Sequence, residues 1–165
     1  MRFVGVDPST KLGLVILDEA GQVVFEKEIK TTEKHDPQRF IALSESVLLH
    51  LQPGDKIMIE GFSYGSKGAG VSTQYGVGWQ IRADLVRRGF TYTEVTPSGL
   101  KKFASGKGNT KKDNLVIPIF KKWSYESDSD NIRDAYVLAR IGMAQAGLEK
   151  LTAYQEDVIK ALKGA

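Results

Sequence analysis

Cysteine is absent from this sequence, and only two histidines occur among its 165 residues. The lack of cysteine excludes disulfides, thiolate catalysis and cysteine-ligated metal sites. Two histidines also argue against a histidine-rich metal centre. Any bound metal ion is therefore expected to have oxygen ligands, which select hard cations such as Mg²⁺ or Mn²⁺.

Long apolar runs are missing as well. No stretch approaches the roughly 18 apolar residues of a membrane span. The chain passes from Met1 directly into a predicted strand, without the pattern of a signal peptide. We expect a soluble, intracellular protein, and a length of 165 residues suits a single domain that spans residues 1–165.

Positive charge is only slightly in excess, with 23 basic and 20 acidic residues and a net charge of +3. The basic residues are unevenly distributed, because seven lysines lie between Lys101 and Lys122 with only Asp113 opposing them, and Lys67 extends the same basic surface. Such a segment indicates a polyanionic partner. A lysine run taken alone is more often a solvated face.

Alternating apolar residues and turn signals predict three antiparallel strands at 2–7, 14–17 and 23–29. The remaining pattern predicts strands at 56–60 and 90–95 and helices at 37–51, about 72–88, 99–104, 109–123, from about 128 onward and at about 153–163. This order is typical of an α/β fold in which helices cover a mixed five-stranded sheet.

Two acidic side chains, Asp7 and Glu60, each end a predicted buried strand. Open α/β sheets bind ligands at the carboxyl ends of their strands, so the two acids are neighbours if these strands are adjacent and parallel. Close carboxylates raise each other's pKa, and such a pair needs a cation or a shared proton. Taken singly, acids at strand ends are usually turn or capping residues.

A third carboxylate comes from the segment SDSDNIRDAYVLA at 127–139. Residues three or four apart share a helix face, so Asp134 lies on one side with Asn131 and Asp130. Helix capping by Asp128, Ser129 or Asp130 is the alternative for this segment, and we favour it for Asp128, with Ser129 also expected at the start of the helix. Asp134 lies a full turn inside the helix among apolar neighbours, where an unpaired acid is costly.

An aspartate, a glutamate and an aspartate in these positions suit metal-dependent phosphodiester hydrolysis. Two ions bridged by carboxylates can generate hydroxide and stabilise the departing oxygen. Other motifs fail on spacing, because the glycine-rich segments lack the intervals of a dinucleotide fingerprint or a P-loop, and residues 128–133 lack the glycine of a calcium loop.

Four segments together resemble a RuvC-type Holliday junction resolvase of the phage-like branch, within the ribonuclease H-like superfamily. They are FVGVDPSTKLG with Asp7, IMIEGF with Glu60, PSGLKKFASGKGNTKK, and Asn131-x-x-Asp134-Ala-Tyr. The resemblance extends to about Gly147, and the joint order of the segments is more specific than any one motif. It implies a ribonuclease H-like sheet with three antiparallel N-terminal strands, flanked by helices, and a RuvC-like nuclease domain at 1–165.

The resemblance further implies that Asp7, Glu60 and Asp134 are catalytic ligands of Mg²⁺ or Mn²⁺, with two ions per site. The family usually has another acid, or a histidine, three residues before the last aspartate. Asn131 occupies that place here and offers a neutral, weaker ligand. Asp130 is the alternative fourth ligand if the helix begins with a slight rotation.

Residues that bind DNA follow from the same resemblance. Lys101 and Lys112 match the lysines with which the family contacts phosphate, and Lys102, Lys107 and Lys111 are expected to support them. Contacts of this kind position DNA without reading its sequence.

Aromatic residues follow Glu60 in the glycine-rich loop. In similar resolvases an aromatic residue here wedges into the junction, a role open to Phe62 and Tyr64. The alternative for Phe62 is a plug in the core. The next helix contains Trp79 and lies at the dimer interface and beside DNA in the family, although a lone tryptophan is more often a core residue.

The sequence therefore predicts a homodimeric, Mg²⁺-dependent endonuclease that resolves four-way DNA junctions by paired symmetric nicks, in the cytoplasm of a bacterial or phage-infected cell. Twofold symmetry of the substrate explains the dimer. Two alternatives stay open. One is a broader ribonuclease H-like nuclease for flaps, forks or RNA–DNA hybrids, and the other is a junction-binding protein with weakened catalysis, for which Asn131 is the main evidence.

Overall fold

A mixed sheet of five strands forms the centre of the fold, and the computed structural model describes residues 1–163. The elements in chain order are β1 (Phe3–Asp7), β2 (Leu12–Leu17), β3 (Val23–Ile29), α1 (Gln38–Leu48), β4 (Lys56–Glu60), α2 (Val71–Arg87), β5 (Tyr92–Val95), α3 (Pro97–Ser105), a 3₁₀ turn (Lys112–Leu115), α4 (Val116–Trp123), α5 (Asp130–Gln145) and α6 (Ala153–Lys163). Within residues 1–163, no helix is both long and apolar enough to cross a membrane.

The strands lie in the order β3-β2-β1-β4-β5. The first three are antiparallel, whereas β1, β4 and β5 are parallel to one another. The predicted α/β fold, with a mixed five-stranded sheet and three antiparallel N-terminal strands, is confirmed. Because parallel strands end at the same edge of a sheet, the carboxyl ends of β1 and β4 are neighbours.

Each face of the sheet carries its own apolar core, because successive side chains of a strand point to opposite faces. Val4 and Val6 of β1 pack with α1 and α2 on one face, whereas Phe3 of β1 packs with α3, α4, α5 and α6 on the other. Asp7 continues the alternation from Phe3 and Gly5 and therefore faces the α5 side of the sheet.

Helix α5 lies unusually close to the sheet because two strand residues are glycines. A Cβ atom on Gly5 would lie 1.8 Å from the carbonyl oxygen of Ala135, and one on Gly13 would lie 2.0 Å from that of Asn131. Gly13 is the β2 partner of Asp7 across the antiparallel ladder. The two glycines thus bring the first two turns of α5 against the strand end that carries Asp7.

The helix predicted at 109–123 is wrong in its first part. A turn follows α3 instead, in which Gly106 has a φ of 84° and the Ser105 and Thr110 hydroxyls lie 2.8 Å apart. The Thr110 hydroxyl also donates to the Lys107 carbonyl at 2.9 Å. These local hydrogen bonds compete with helical ones, so α4 begins only at Val116 after the 3₁₀ turn.

Candidate metal centre

Three carboxylates from separate elements meet at one edge of the sheet. Asp7 ends β1, Glu60 ends β4, and Asp134 lies in the second turn of α5. One carboxylate oxygen of each lies within 4.8 Å of the other two. Asp7 and Asp134 are only 5% and 4% exposed, and Glu60 is half-buried. We call these three residues the acid cluster.

Burial and mutual repulsion dominate the electrostatics of the acid cluster. Burial, followed by the charges of Glu60 and Asp134, raises the pKa of Asp7 well above its ordinary value. Burial is also the main reason that the pKa of Glu60 and that of Asp134 are raised. Asp7 Oδ2 is buried with no hydrogen-bond partner among residues 1–163.

The acid cluster fits a divalent cation. Its donors are all carboxylate oxygens, the set that Mg²⁺ and Mn²⁺ prefer. Asp7 Oδ2 is a buried acceptor that lacks a donor, and a buried polar atom of this kind is costly unless something satisfies it. A cation held by Asp7, Glu60 and Asp134 would satisfy that oxygen and offset the repulsion.

Lys112 supplies positive charge beside the acid cluster. Its Nζ lies 3.0 Å from Asp134 Oδ2 and 3.3 Å from Asp130 Oδ2. Burial opposes the charge on Lys112, but the carboxylates of Asp134 and Asp7 outweigh burial and raise its pKa. The side chain is 45% exposed, so the ammonium can also reach a ligand in solvent.

The two candidates for a fourth ligand, Asn131 and Asp130, lie in different surroundings. Asn131 lines the same cleft as the acid cluster, and its Nδ2 donates to Glu28 Oε2 at 3.5 Å. Asp130 is not among the described residues that line this cleft. Its Oδ1 accepts from the backbone N–H of Asn131, and its Oδ2 faces Lys112.

The start of α5 is capped by Ser129, as predicted for that residue, whereas the capping role predicted for Asp128 is wrong. The Ser129 hydroxyl accepts from the backbone N–H of Ile132 at 3.3 Å and donates to Glu28 Oε2 of β3 at 2.6 Å. That hydroxyl, together with Lys30, lowers the pKa of Glu28 to about 2. Helix α5 is thus tied to β3 at the turn just before Asp134.

The predicted DNA-binding lysines lie at different distances from the acid cluster. A cleft of about 280 Å³ opens over the cluster and is lined by Lys101 and Lys112. Lys102 instead pairs with Asp157 of α6 at 3.1 Å. Lys107 and Lys111 are exposed on the turn that follows α3. The structure brings two of the five lysines to the cleft.

The aromatic residues after Glu60 pack onto α2. Phe62 lines the cleft and is half-buried, with its ring stacked on Tyr75 at 4.8 Å and tilted against Trp79 at 5.1 Å. Tyr64 is 80% exposed and lies at the rim of this group. Trp79 is 58% exposed, which rules out the core position considered for it.

Residues that the sequence did not single out support the site from behind. Gly5 and Gly13 admit α5, Glu28 anchors its first turn, and Arg82 is a fully buried charge on α2. Isolated glycines inside strand patterns are a known sign of close backbone approach. The burial of Arg82, which directly follows Ile81 in α2, had no comparable signal in the sequence.

Comparison with known proteins places the fold. No family model and no curated protein sequence matches the chain. A solved structure of Thermus thermophilus RuvC matches with a TM-score of 0.68 and 16% identity, over 91% of this chain and 99% of that one. RuvC of T. thermophilus in complex with a Holliday junction substrate matches with a TM-score of 0.66 and 14% identity, over 91% and 98% of the two chains. The chain therefore has the ribonuclease H-like fold of RuvC.

Proposed function

We propose that this protein is a homodimeric, divalent-metal-dependent endonuclease that resolves four-way DNA junctions by paired symmetric nicks, in a bacterial or phage-infected cell. The observation that carries the proposal is the acid cluster itself, in which Asp7, Glu60 and Asp134 converge at the floor of a cleft walled by lysines. The RuvC fold, which in the T. thermophilus protein binds a Holliday junction substrate, supports the choice of DNA.

Asp7, Glu60 and Asp134 would hold the cation, with Asn131 beside them. A bound divalent cation supplies activation of water and stabilisation of negative charge on the phosphate and the leaving oxygen. The protein's own contribution is position, because the carboxylates lie on two strands and a helix that share one apolar core. None of the proposed steps requires a histidine.

Lys101 and Lys112 give the cleft an electropositive wall on which a phosphate can lie. Lys112 pairs with Asp134 when no DNA is bound, and its partly exposed ammonium can donate to a phosphate oxygen at the cleft mouth. Lys107 and Lys111 continue the positive charge along the surface. Contacts of this kind make affinity strongly dependent on salt.

The proposed dimer follows from substrate symmetry, since two nicks in equivalent strands need two sites of matching orientation. The half-exposed ring of Trp79 and the exposed side chain of Val86 give α2 an outward apolar surface suited to a second copy. Sedimentation of the purified protein, with Trp79→Glu as the comparison, tests this part of the proposal.

Cleavage of an end-labelled four-way junction tests the activity. We expect paired nicks with Mg²⁺ or Mn²⁺, none with chelator, and loss of cutting but retention of binding in Asp7→Asn. Cutting by Asp7→Asn at the wild-type rate would show that the acid cluster is not the active site. Labelled flaps, forks and RNA–DNA hybrids in the same assay separate a resolvase from a broader nuclease.

Asn131 favours one other candidate, a junction-binding protein with weakened catalysis. It places a neutral amide on the cleft wall where a carboxylate would complete an all-acid site. If this candidate is right, the wild type binds junctions and cuts them slowly, and Asn131→Asp restores cutting. Fast cleavage by the wild type, with no gain from Asn131→Asp, decides for the resolvase.

A further inference from the structure

Arg82 of α2 is a buried charge that hydrogen-bonds to the backbone of Glu60, a member of the acid cluster. Its side chain is 2% exposed. Its Nε donates to Glu94 Oε1 of β5 at 2.5 Å, its Nη1 to the Gly78 carbonyl at 3.0 Å, and its Nη2 to the Glu60 carbonyl at 3.0 Å. The guanidinium therefore joins a helix, a neighbouring strand and the backbone of a proposed metal ligand.

The peptide unit that follows Glu60 is held from both ends. Arg82 fixes the Glu60 carbonyl, and the N–H of Gly61 donates to the Val95 carbonyl at 2.7 Å. Because this peptide is planar, holding both its oxygen and its nitrogen determines its orientation. The orientation of this peptide fixes the backbone at the end of β4. It thereby determines the position from which the Glu60 side chain extends into the acid cluster.

The guanidinium also positions the wall of the cleft. Its central carbon lies 4.3 Å from the centre of the Phe62 ring, in a cation–π arrangement. Phe62 is two residues after Glu60 and lines the cleft. A Cβ atom on Gly78 would lie 2.5 Å from this ring, so α2 leaves room for the stack.

Stability alone does not account for an arginine at this place. Taking a guanidinium out of water costs several kcal/mol, and replacing a buried ion pair by apolar side chains is often neutral or stabilising. Its partner Glu94 is 45% exposed, which weakens the compensating attraction. What an apolar residue cannot supply is three directed donors in one plane together with a flat face for stacking.

We infer that Arg82 is a positioning residue for the metal centre, acting through the Glu60 backbone and the Phe62 ring. The inference rests on the proposed function, since it assigns a task within that same site. It predicts that metal affinity and turnover depend on the directed donors of Arg82 more than on its charge or volume.

The test is calorimetric titration of the DNA-free protein with MnCl₂, alongside thermal unfolding. Arg82→Lys keeps the charge and loses the planar fork, and Arg82→Met keeps the volume and removes the cost of burying a charge. Arg2→Gln is the matched control. Arg2 also pairs with a carboxylate, that of Asp55, and donates to a backbone carbonyl, that of His50. It lies just before β1, at the end of the strand opposite to Asp7.

We expect both Arg82 variants to bind Mn²⁺ roughly 10-fold more weakly or worse, the usual effect of removing a group that orients a ligand. Arg82→Met leaves the Glu60 carbonyl without its donor and should unfold at a lower temperature than the wild type, so the comparison with Arg2→Gln separates the affinity loss from instability. Arg2→Gln should unfold at a lower temperature and keep its Mn²⁺ affinity. On junction DNA, the Arg82 variants should lower kcat by a larger factor than they raise KM.

Wild-type Mn²⁺ affinity in a folded Arg82→Lys or Arg82→Met protein overturns the inference, and either variant suffices if the other fails to fold. An equal loss of affinity in Arg2→Gln overturns it too, since general loosening would then explain the effect. Asp7→Asn is the reference for the site itself. If the wild type shows no Mn²⁺ binding that depends on Asp7, the proposed function fails and the inference with it.

Discussion

Gly13→Ala tests whether the close approach of α5 to the sheet is what assembles the acid cluster. Gly13 lies opposite Asp7 in the ladder between β1 and β2. The added methyl group would lie 2.0 Å from the carbonyl oxygen of Asn131, whereas ordinary contacts begin at 3.4 Å, so this turn of α5 must retreat by roughly 1.4 Å. Asp134 lies in the next turn and moves away from Asp7 with it.

The magnitude follows from this displacement. Forcing an extra methyl group into a packed interface costs about 1–3 kcal/mol. For a chain of this size each kcal/mol lowers Tm by about 2–4 °C. A displacement of about 1 Å at a catalytic group can reduce the rate about 100-fold. We therefore expect a protein that still folds, melts several degrees lower and cuts junctions at least about 100-fold more slowly.

Thermal unfolding and single-turnover junction cleavage measure the two effects. Gly70→Ala is the matched control, because a Cβ atom there meets no atom within 4 Å and the backbone φ of −82° suits alanine. It should melt and cut as the wild type does. A Gly13→Ala protein with wild-type Tm and cleavage rate would refute the argument that glycine is required for this packing.

Side chains around the cleft should have separable effects. Lys112→Ala removes the cation beside the acid cluster, so junction binding weakens and the rate at saturating DNA falls; an unchanged rate argues against its contact with phosphate. Tyr64→Ala should weaken junction binding without changing Tm, because the ring is 80% exposed. Phe62→Ala should lower the free energy of unfolding by about 1–3 kcal/mol, since that ring is half-buried. Equal effects of the two variants on Tm would contradict these different roles. The pKa of Glu28 is lowered from 4.5 to about 2, so its carboxylate stabilises the fold above pH 4.5. This contribution is lost as the pH falls towards 2. The difference in Tm between the wild type and Glu28→Gln should therefore be constant near neutral pH and shrink below pH 4.5. Mg²⁺ should raise the Tm of the wild type but not of Asp7→Asn, because a cation that binds only the folded state stabilises it.

Much of the fold could be predicted from local pattern. Alternating apolar residues predicted β1 and β4 and placed Asp7 and Glu60 at their ends. The structure shows that these strands are adjacent and parallel, which is the condition under which the two acids were predicted to be neighbours. The helix that carries Asp134 was also predicted, because apolar residues follow it at helical spacing. These features depend on periodicity, which short stretches of sequence express directly.

Other features depend on contacts between distant segments and left little local trace. Ser129 was predicted to help start α5, but the bond of its hydroxyl to Glu28 of β3, about a hundred residues earlier in the chain, was not. The turn after α3 has a local cause instead, because hydrogen bonds of the Ser105 and Thr110 hydroxyls replaced the first part of a predicted helix. The burial of Arg82 depends on Glu94, Glu60 and Phe62 together, which no single segment reveals.

Diffraction from crystals soaked in MnCl₂, recorded with anomalous scattering, tests the central claim most directly. The account predicts an anomalous peak in contact with carboxylate oxygens of Asp7, Glu60 and Asp134. The same map decides whether Asn131 or Asp130 is the fourth protein ligand. A fully soaked crystal without a peak between these three carboxylates, or with its strongest peak elsewhere on the protein, would contradict the account.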